Sequence, residues 1–402
     1  MAKQKYELLA PAGNFSMLAA AVNAGADAVY LGLGEFSMRA NAKNFKISDL
    51  KEIRNTCNRG LNGRKVKIYL TLNTIIYDEE IRKIEKILKQ VKNKVDAVIC
   101  WDLSVAELCK KNKIPFFIST QASVANSKTA EFYKKFGAKR IILARELNLK
   151  QIKKISKIIE VETFIHGAMC IALSGRCFTS QFLFNKSANR GECLHPCRRS
   201  YQVFKARDKQ EDYELEIENN KIFSAKDLCT LPFIEKLKQA GIKAFKIEGR
   251  GRDARYVDIV VRIYRKSLDK KLTKQEIHES LNELKKVYNK GFSSGFYLGV
   301  PTSDDFSKIE HSSAIEKKEF IGKIRHFFPK ISVATIQLNN SIKKGEKICI
   351  IGDKTGIINT EITSMEIKNK PVEKAIKGQE IGIKLPKQAR KNDEVYKIIS
   401  SS

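Results

Sequence analysis

One pattern recurs through about the first 250 residues: a short apolar run, a polar loop and an amphipathic helical segment. Eight such runs begin at Glu7 (ELLA), Ala28 (AVYLG), Val66 (VKIYLTLN), Asp96 (DAVICWD), Phe116 (FFIST), Arg140 (RIILA), Glu162 (ETFIH) and Ala244 (AFKIEG). Helices are predicted between most of them, for example over 14–24, 78–92 and 127–136, and several end at a glycine. Strands alternating with helices in this way predict an α/β fold, a (β/α)8 TIM-like barrel, with an open doubly wound sheet as the alternative.

The pattern divides the chain into three parts. The barrel is predicted over 1–270, with a Cys-rich insertion over about 168–225 between its seventh and eighth runs. Residues 271–318 are assigned to a helical connector and a linker, because 291–308 is rich in Gly, Ser, Pro and Asp. From residue 319 short alternating strands are separated by turns, which predicts a small C-terminal β-barrel over 319–402.

Hydropathy predicts the cellular location of the protein. Hydrophobic residues make up 43% of the chain, as in ordinary soluble globular proteins. No stretch approaches the roughly 20 consecutive apolar residues of a membrane span, and MAKQKYELLAPAG has no apolar segment of signal-peptide length. We therefore expect a cytoplasmic protein without membrane contact, in which disulfides are disfavoured. No obligate protein partner is indicated.

The net charge is +30, from 75 Lys and Arg against 45 Asp and Glu. Part of this excess is explained by Lys-rich solvated helix faces, such as KEIRNTCNRGLNGRKVK. The remainder still produces a positive potential that attracts polyanions, and nucleic acid is the commonest of them. RNA or another nucleic acid is therefore an expected partner.

Active sites of (β/α)8 barrels lie at the C-terminal ends of the strands. The polar residues at those ends are Asn73, Asp102, Thr120, Gln121, Arg145, Glu146, His166, Glu248 and Arg250. Asp102 and Thr120 are equally well explained as helix caps, and His166 as a core histidine. We take Arg145, Glu146, His166, Glu248 and Arg250 as candidate catalytic residues, because paired charges at a strand end are costly unless they are used.

Five of the nine cysteines fall within about 60 residues, at positions 170, 177, 193, 197 and 229. The other four are isolated and read as small buried hydrophobes. Four thiolates together can hold zinc or an iron–sulfur cluster, but C-x6-C followed by C-x15-C matches no common zinc module. Spacing favours an iron–sulfur cluster and leaves zinc, or no metal, open. No H-E-x-x-H, P-loop or G-x-G-x-x-G motif is present.

The segment from Glu162 to Ser180, ETFIHGAMCIALSGRCFTS, resembles the signature of the peptidase U32 family. In that signature Thr179 replaces an apolar residue. Further segments resemble the family in the same order: ELLAPAGN, GADAVYLG, STQASVAN, LARELNL, NRGECLHPCR, SAKDLC and KIEGR. The C-terminal strands resemble the family's elongation-factor-like β-barrel. The resemblance therefore covers essentially the whole chain.

This resemblance implies a barrel that carries a [4Fe-4S] cluster. By motif position its ligands are Cys170, Cys177, Cys193 and Cys229, and Cys197 is then spare. Within the family the chain looks most like the tRNA hydroxylation group, which forms 5-hydroxyuridine at the wobble position without oxygen and with prephenate implicated. We hypothesise that Arg145 and Arg250 hold such a small carboxylate.

Two alternatives stay open at this point. One is a collagenase-like peptidase, the activity behind the family name, with Glu162, His166 or a cysteine as catalytic residues. The other is an RNA-binding protein whose cluster is purely structural. The charge of +30 favours an RNA substrate over the quinone ring that other family members hydroxylate.

Overall fold

The computed structural model describes residues 6–39, 43–199 and 223–400 of the chain. Its first part is a closed ring of eight parallel strands, which confirms the predicted (β/α)8 barrel. The ring strands are β1 (Glu7–Pro11), β2 (Ala28–Leu31), β3 (Lys67–Leu72), β4 (Ala97–Cys100), β5 (Phe116–Ile118), β6 (Arg140–Ile142), β7 (Val161–Gly167) and β9 (Ala244–Ile247). All eight predicted runs form ring strands, and β9 closes the ring between β7 and β1.

Helices surround the ring; most of them lie between ring strands in the chain, and the last two follow β9. They are α1 (Phe15–Asn23), α2 (Leu50–Cys57), α3 (Ile81–Val91), α4 (Leu103–Lys111), α5 (Ser127–Phe136), α6 (Leu149–Ile155), α8 (Ile234–Gln239), α9 (Ala254–Asp269) and α10 (Lys274–Lys285). Side-chain caps fix several starting points: Asn14 accepts from the Met17 amide, and Asp102 accepts from the Ser104 amide. Asp102 therefore caps α4, the alternative interpretation of this residue.

Between β7 and α8, the described residues form the short helix α7 (Thr179–Phe184) and a strand, β8 (Asp227–Cys229), that lies outside the ring. β8 runs antiparallel to the end of β7 and pairs with the short strand β10 (Phe292–Ser293) on its other side. The first part of the insertion, over 168–198, lies against the barrel mouth. There Arg190 forms two hydrogen bonds with the Glu80 carboxylate. Residues 200–222 of the predicted insertion lie outside the described residues.

The C-terminal part, predicted as a small β-barrel of short strands, is an antiparallel sheet domain. Eight strands pair in the order β15-β14-β20-β11-β12-β19-β16-β17, and β13 pairs with β18. Their bounds are β11 (Glu316–Phe328), β12 (Val333–Leu338), β13 (Ile342–Lys343), β14 (Lys347–Gly352), β15 (Gly356–Glu361), β16 (Met365–Ile367), β17 (Lys370–Pro371), β18 (Lys374–Ala375), β19 (Glu380–Lys384) and β20 (Glu394–Ser400). The sheet has an apolar core of its own, separate from that of the barrel.

The sheet packs on the outside of the barrel, against α1 and α9. Asn23 on α1 donates to the Thr355 carbonyl at 3.2 Å, and Lys318 pairs with Asp253 at 2.6 Å. Among the described residues, none from this sheet lines the cavity at the C-terminal ends of the ring strands. Among the helices of the described ranges, none has the length and apolarity to span a membrane.

Candidate active site at the barrel mouth

A cavity opens at the C-terminal ends of the ring strands, and the start of the insertion forms its outer wall. Asn73, Thr120 and Gln121, from the ends of β3 and β5, line it together with Arg145, Glu248 and Arg250. The structure thus brings together six of the nine strand-end residues selected from the sequence. Gly175 makes this wall possible: its φ is +74°, and a Cβ there would lie 2.8 Å from Gln121.

Positive charge dominates the described lining of the cavity. Five cationic side chains face it, and Glu248 is the one carboxylate among the described lining residues. The cationic residues are Arg39, Arg145, Arg198, Lys246 and Arg250. Such an excess favours an anionic or phosphate-bearing ligand.

Glu248 is the centre of this charge arrangement. Its carboxylate pairs with Arg39 at 3.0 Å, and Tyr30 donates to it at 3.4 Å. Burial alone raises the pKa of Glu248, but Arg39, Arg145 and other nearby cations outweigh burial and lower the pKa to about 2. Glu248 is therefore ionised at neutral pH and is not a proton donor there.

Arg250 is buried and held rigidly. It donates to the Ser37 and Thr71 hydroxyls at 2.7 and 2.8 Å. Burial lowers the pKa of its guanidinium to about 10, so it stays charged at neutral pH. With its hydroxyl partners it forms a fixed positive group in the cavity wall.

Arg145 is held less completely than Arg250. Its guanidinium stacks 3.9 Å from the Phe164 ring centre and donates to the Ala168 carbonyl at 2.8 Å. Its Nε is buried and has no hydrogen-bond partner among the described residues. A buried donor without a partner is costly, and the residue that carries it lines the cavity.

Four cysteines line the same cavity: Cys170, Cys177, Cys193 and Cys197. Burial raises the pKa of the Cys197 thiol, Arg198 opposes this rise, and the nearby Cys170, Cys193 and Cys177 add to it. Cys197 is therefore close enough to each of the other three thiols to interact with it electrostatically. All four are free, and the backbone N–H of Cys177 is held by Asn189 at 2.9 Å.

Cys229 lies elsewhere. It is the last residue of β8, lines a different cavity beside Phe233 and His278, and its sulfur is 3.7 Å from the Tyr264 hydroxyl. Burial raises the pKa of its thiol to about 11. The structure thus brings together three of the four cysteines in the predicted ligand set, and Cys197, the predicted spare, joins them in the place of Cys229.

Two of the predicted catalytic residues do not line the mouth cavity. Glu146 is exposed in the turn that follows β6. His166 is buried between Tyr256, Tyr264 and Phe292, and burial, aided by Arg252, lowers its pKa to about 3. His166 is therefore a neutral core histidine, which is the alternative interpretation of this residue.

Glu162, the first residue of the family signature, is fully buried inside the ring. It pairs with Arg140 at 3.0 Å and with Lys246 at 3.1 Å. The Lys246 ammonium in turn lies 4.4 Å from the Tyr30 ring centre and lines the mouth cavity. Glu162 acts structurally, by holding a cation beneath the site.

Sequence reasoning missed Arg39, Lys246, Arg198 and His195 among the residues that line the cavity. Strand alternation could have found Lys246, because it lies two residues before Glu248 and so shares its face of β9. Arg198 and His195 flank Cys197 closely in sequence, a weaker signal. Arg39 lies in a loop after β2 and carries no sequence signal.

Comparison with known proteins agrees with the resemblance. The family model described as peptidase family U32 matches residues 13–306. The chain belongs to this family. It is 41% identical to a Methanocaldococcus jannaschii protein named an uncharacterized protease, over 97% of each chain. It is 36% identical to a collagenase of Porphyromonas gingivalis, over 98% of this chain and 97% of that protein. It is 35% identical to the tRNA hydroxylation protein P1 of Bacillus subtilis, over 87% of this chain and 84% of that protein.

Proposed function

We propose that this chain is an iron–sulfur enzyme that hydroxylates a base of RNA, with the wobble uridine of tRNA as its substrate. The observation that carries the proposal is the convergence of four thiols and five cationic side chains on one cavity at the barrel mouth. Thiols suit an iron–sulfur centre, and cations suit a phosphate-bearing substrate. Similarity to a protein named for tRNA hydroxylation supports the same reaction class.

An RNA substrate agrees with the net charge of the whole chain and with the charge of the cavity lining. The whole chain carries +30, and the described cavity lining carries five cations against one carboxylate. A base enters such a cavity only when it is turned out of its stack, which costs little in an anticodon loop, where bases are unpaired. Phosphate contacts then supply affinity, and the buried amides of Asn73 and Gln121 are suited to contact the base edge.

A [4Fe-4S] cluster fits the sulfur donors of this cavity. We propose Cys170, Cys177, Cys193 and Cys197 as its ligands, with Cys197 in the place of Cys229, because these four line one cavity. No three His, Cys, Asp or Glu side chains in the described ranges are arranged for a single metal ion, and a four-iron cluster, being larger, is held by thiols that stand further apart. When bound, a cluster with four cysteine ligands supplies or accepts single electrons.

The chain's own residues would hold and orient a small carboxylate co-substrate such as prephenate. The unpartnered Nε of Arg145 and the fixed guanidinium of Arg250 offer charge-assisted donors to it. Glu248 stays ionised and holds Arg39 in the wall. Because Glu248 carries no proton at neutral pH, it is a positioning residue and not a general acid.

The relatives named as a collagenase and as an uncharacterized protease favour a peptidase as the second candidate. The geometry supports it less well. Glu162 and His166, two of its possible catalytic residues, are almost fully buried and do not line the mouth cavity. A peptidase mechanism would therefore have to use a cysteine of the cavity, the residue type that the cluster requires.

The decisive experiment compares RNA from cells that lack the gene with RNA from the same cells complemented by wild type or by the Cys193→Ser variant. Mass spectrometry of tRNA nucleosides should show 5-hydroxyuridine-derived wobble bases only with wild type. Unchanged wobble uridine with wild type would contradict the proposal and leave an RNA-binding protein. Gelatin cleavage by the anaerobically purified protein that persists in Cys193→Ser would favour the peptidase.

A further inference from the structure

The rim of the mouth cavity carries a cluster of exposed apolar side chains. Of the six phenylalanines that are exposed in the described residues, three lie on or beside α7. Phe182 is 83% exposed and Phe178 is 60% exposed, and Phe184 completes the set. We call these three residues the rim phenylalanines. Large exposed apolar groups clustered in one place mark an interaction surface.

Local packing explains why α7 presents these rings outward. Ser180, on the opposite side of the helix, is buried, and its hydroxyl accepts the Leu194 N–H at 3.1 Å. Phe178 and Phe182 are four residues apart and therefore share the outer side of the helix. Their ring centres are 6.1 Å apart with planes inclined by 37°. Two neighbouring rings with free surface are thus held in place by the helix.

The rim phenylalanines adjoin the cavity directly. Cys177 and Thr179, the two residues on either side of Phe178, both line it. Positive charge accompanies the rings: the Arg199 guanidinium lies 4.7 Å from the Phe184 ring centre, and Arg176 is exposed one residue before Cys177. In the described part of the chain, no carboxylate forms a salt bridge with either arginine.

We infer that the rim phenylalanines are a stacking platform for unpaired RNA bases next to the base that enters the cavity. Exposed aromatic rings beside uncompensated arginines suit single-stranded nucleic acid, because bases stack on the rings and phosphates contact the arginines. An apolar peptide accounts for the apolar area but does not account for the arginines without paired carboxylates. A lipid surface does not account for the position of the rings beside a cavity whose described lining holds five cations. The inference rests on the proposed function only for the identity of the bound RNA.

The test measures binding of the anaerobically purified full chain to an RNA hairpin with a uridine-containing single-stranded loop. Phe182→Ala should weaken binding about tenfold, since each stacked base contributes on that scale. Phe182→Trp, which keeps an aromatic ring at this position, should bind the hairpin with the affinity of wild type. A fully paired duplex of the same composition should bind wild type and Phe182→Ala equally. Phe132→Ala, an exposed phenylalanine on α5, is the matched control and should bind like wild type.

Hairpin binding that is unchanged in both Phe182→Ala and Phe178→Ala would overturn the inference. So would binding of wild type to phosphatidylglycerol vesicles that is lost in Phe182→Ala, which would make the rim a lipid surface. Iron content measured in parallel ensures that the variants are intact. If the hairpin responds to the substitutions but wobble uridine is never hydroxylated, the platform stands and the proposed function fails. If wobble uridine is hydroxylated but hairpin affinity is the same in wild type and in the phenylalanine variants, the proposed function stands and only the platform is contradicted.

Discussion

The two ends of the barrel use buried charge in opposite ways. At the N-terminal end, Arg140 contacts Glu7 at 2.6 Å, Glu160 at 2.5 Å and Glu162 at 3.0 Å. Glu7 and Arg140 belong to β1 and β6, which are not neighbours in the ring, so this network crosses the barrel interior. At the mouth, five cations face one carboxylate in the described lining.

Each end therefore serves a different purpose. Burial alone lowers the pKa of Arg140, but Glu162 and Glu7 more than offset it and raise the pKa above its ordinary value. Removing one partner of such a network would leave a buried charge unpaired, which is strongly destabilising. At the mouth, Arg39 and Lys246 pair with Glu248 and Glu162. Arg145, Arg198 and Arg250 also line the cavity, and no salt bridge to them is formed within the described residues. These three cations are available to an anionic ligand, in line with the division of labour between the two faces of (β/α)8 barrels.

The largest effect should come from the thiols of the mouth. Cys197→Ser should abolish the cluster, lowering iron from about four atoms per chain to almost none and removing the brown colour. Cys229→Ser should keep the iron content and the brown colour, because Cys229 lines a different cavity. Iron analysis of anaerobically purified variants measures this. Loss of iron in Cys229→Ser but not in Cys197→Ser would instead favour Cys229 as the fourth cluster ligand. It would also weaken the distinction between the two cavities.

The next largest effect should come from the opposite end. Glu162→Gln leaves Arg140 and Lys246 without their shared buried carboxylate, so the free energy of unfolding should fall by about 3–5 kcal/mol. Urea denaturation measures it. Glu192→Gln, which breaks an exposed pair with Lys186, should change it by about 0.5 kcal/mol or less. A loss below about 1 kcal/mol for Glu162→Gln would show that the network is not structural.

The barrel could be predicted from the sequence because strands of a parallel ring are buried on both faces and read as continuous apolar runs. All eight runs, including AFKIEG, form ring strands. The three-residue strand β8 was missed, because it is short and its antiparallel pairing with β7 depends on tertiary structure. That pairing directs Cys229 away from the mouth.

The site was predictable only where position along a strand determines orientation. Arg145, Glu248 and Arg250 follow strand ends and line the cavity. His166 also ends a strand, but it faces the core beside Tyr264, and the apolar run alone did not tell these two faces apart. Arg39 reaches the site from a loop, where no periodicity exists to reveal it.

A smaller effect is expected for the carboxylate site. Arg145→Met removes the unpartnered donor and its charge, so affinity for prephenate should fall about tenfold or more, as expected for one charge-assisted hydrogen bond. Calorimetric titration of the purified protein measures it. Arg54→Met, on the outside of the barrel where Arg54 pairs with Asp96, should leave affinity unchanged. Equal affinities in both variants would remove Arg145 from the site.

The smallest effect concerns Glu248, the one carboxylate in the described lining of the mouth cavity, and its measurement depends on pH. The pKa of Glu248 falls from an ordinary 4.5 to about 2 in the folded chain, so its ionisation stabilises the fold above about pH 4.5, and this contribution is lost as pH falls toward 2. The difference in free energy of unfolding between wild type and Glu248→Gln should therefore shrink between about pH 5 and about pH 3.5. Glu146→Gln, in an exposed turn, should show no such trend. A difference that stays constant with pH would mean that the cations of the mouth do not act on Glu248, and that the two ends of the barrel are less distinct than their geometry indicates.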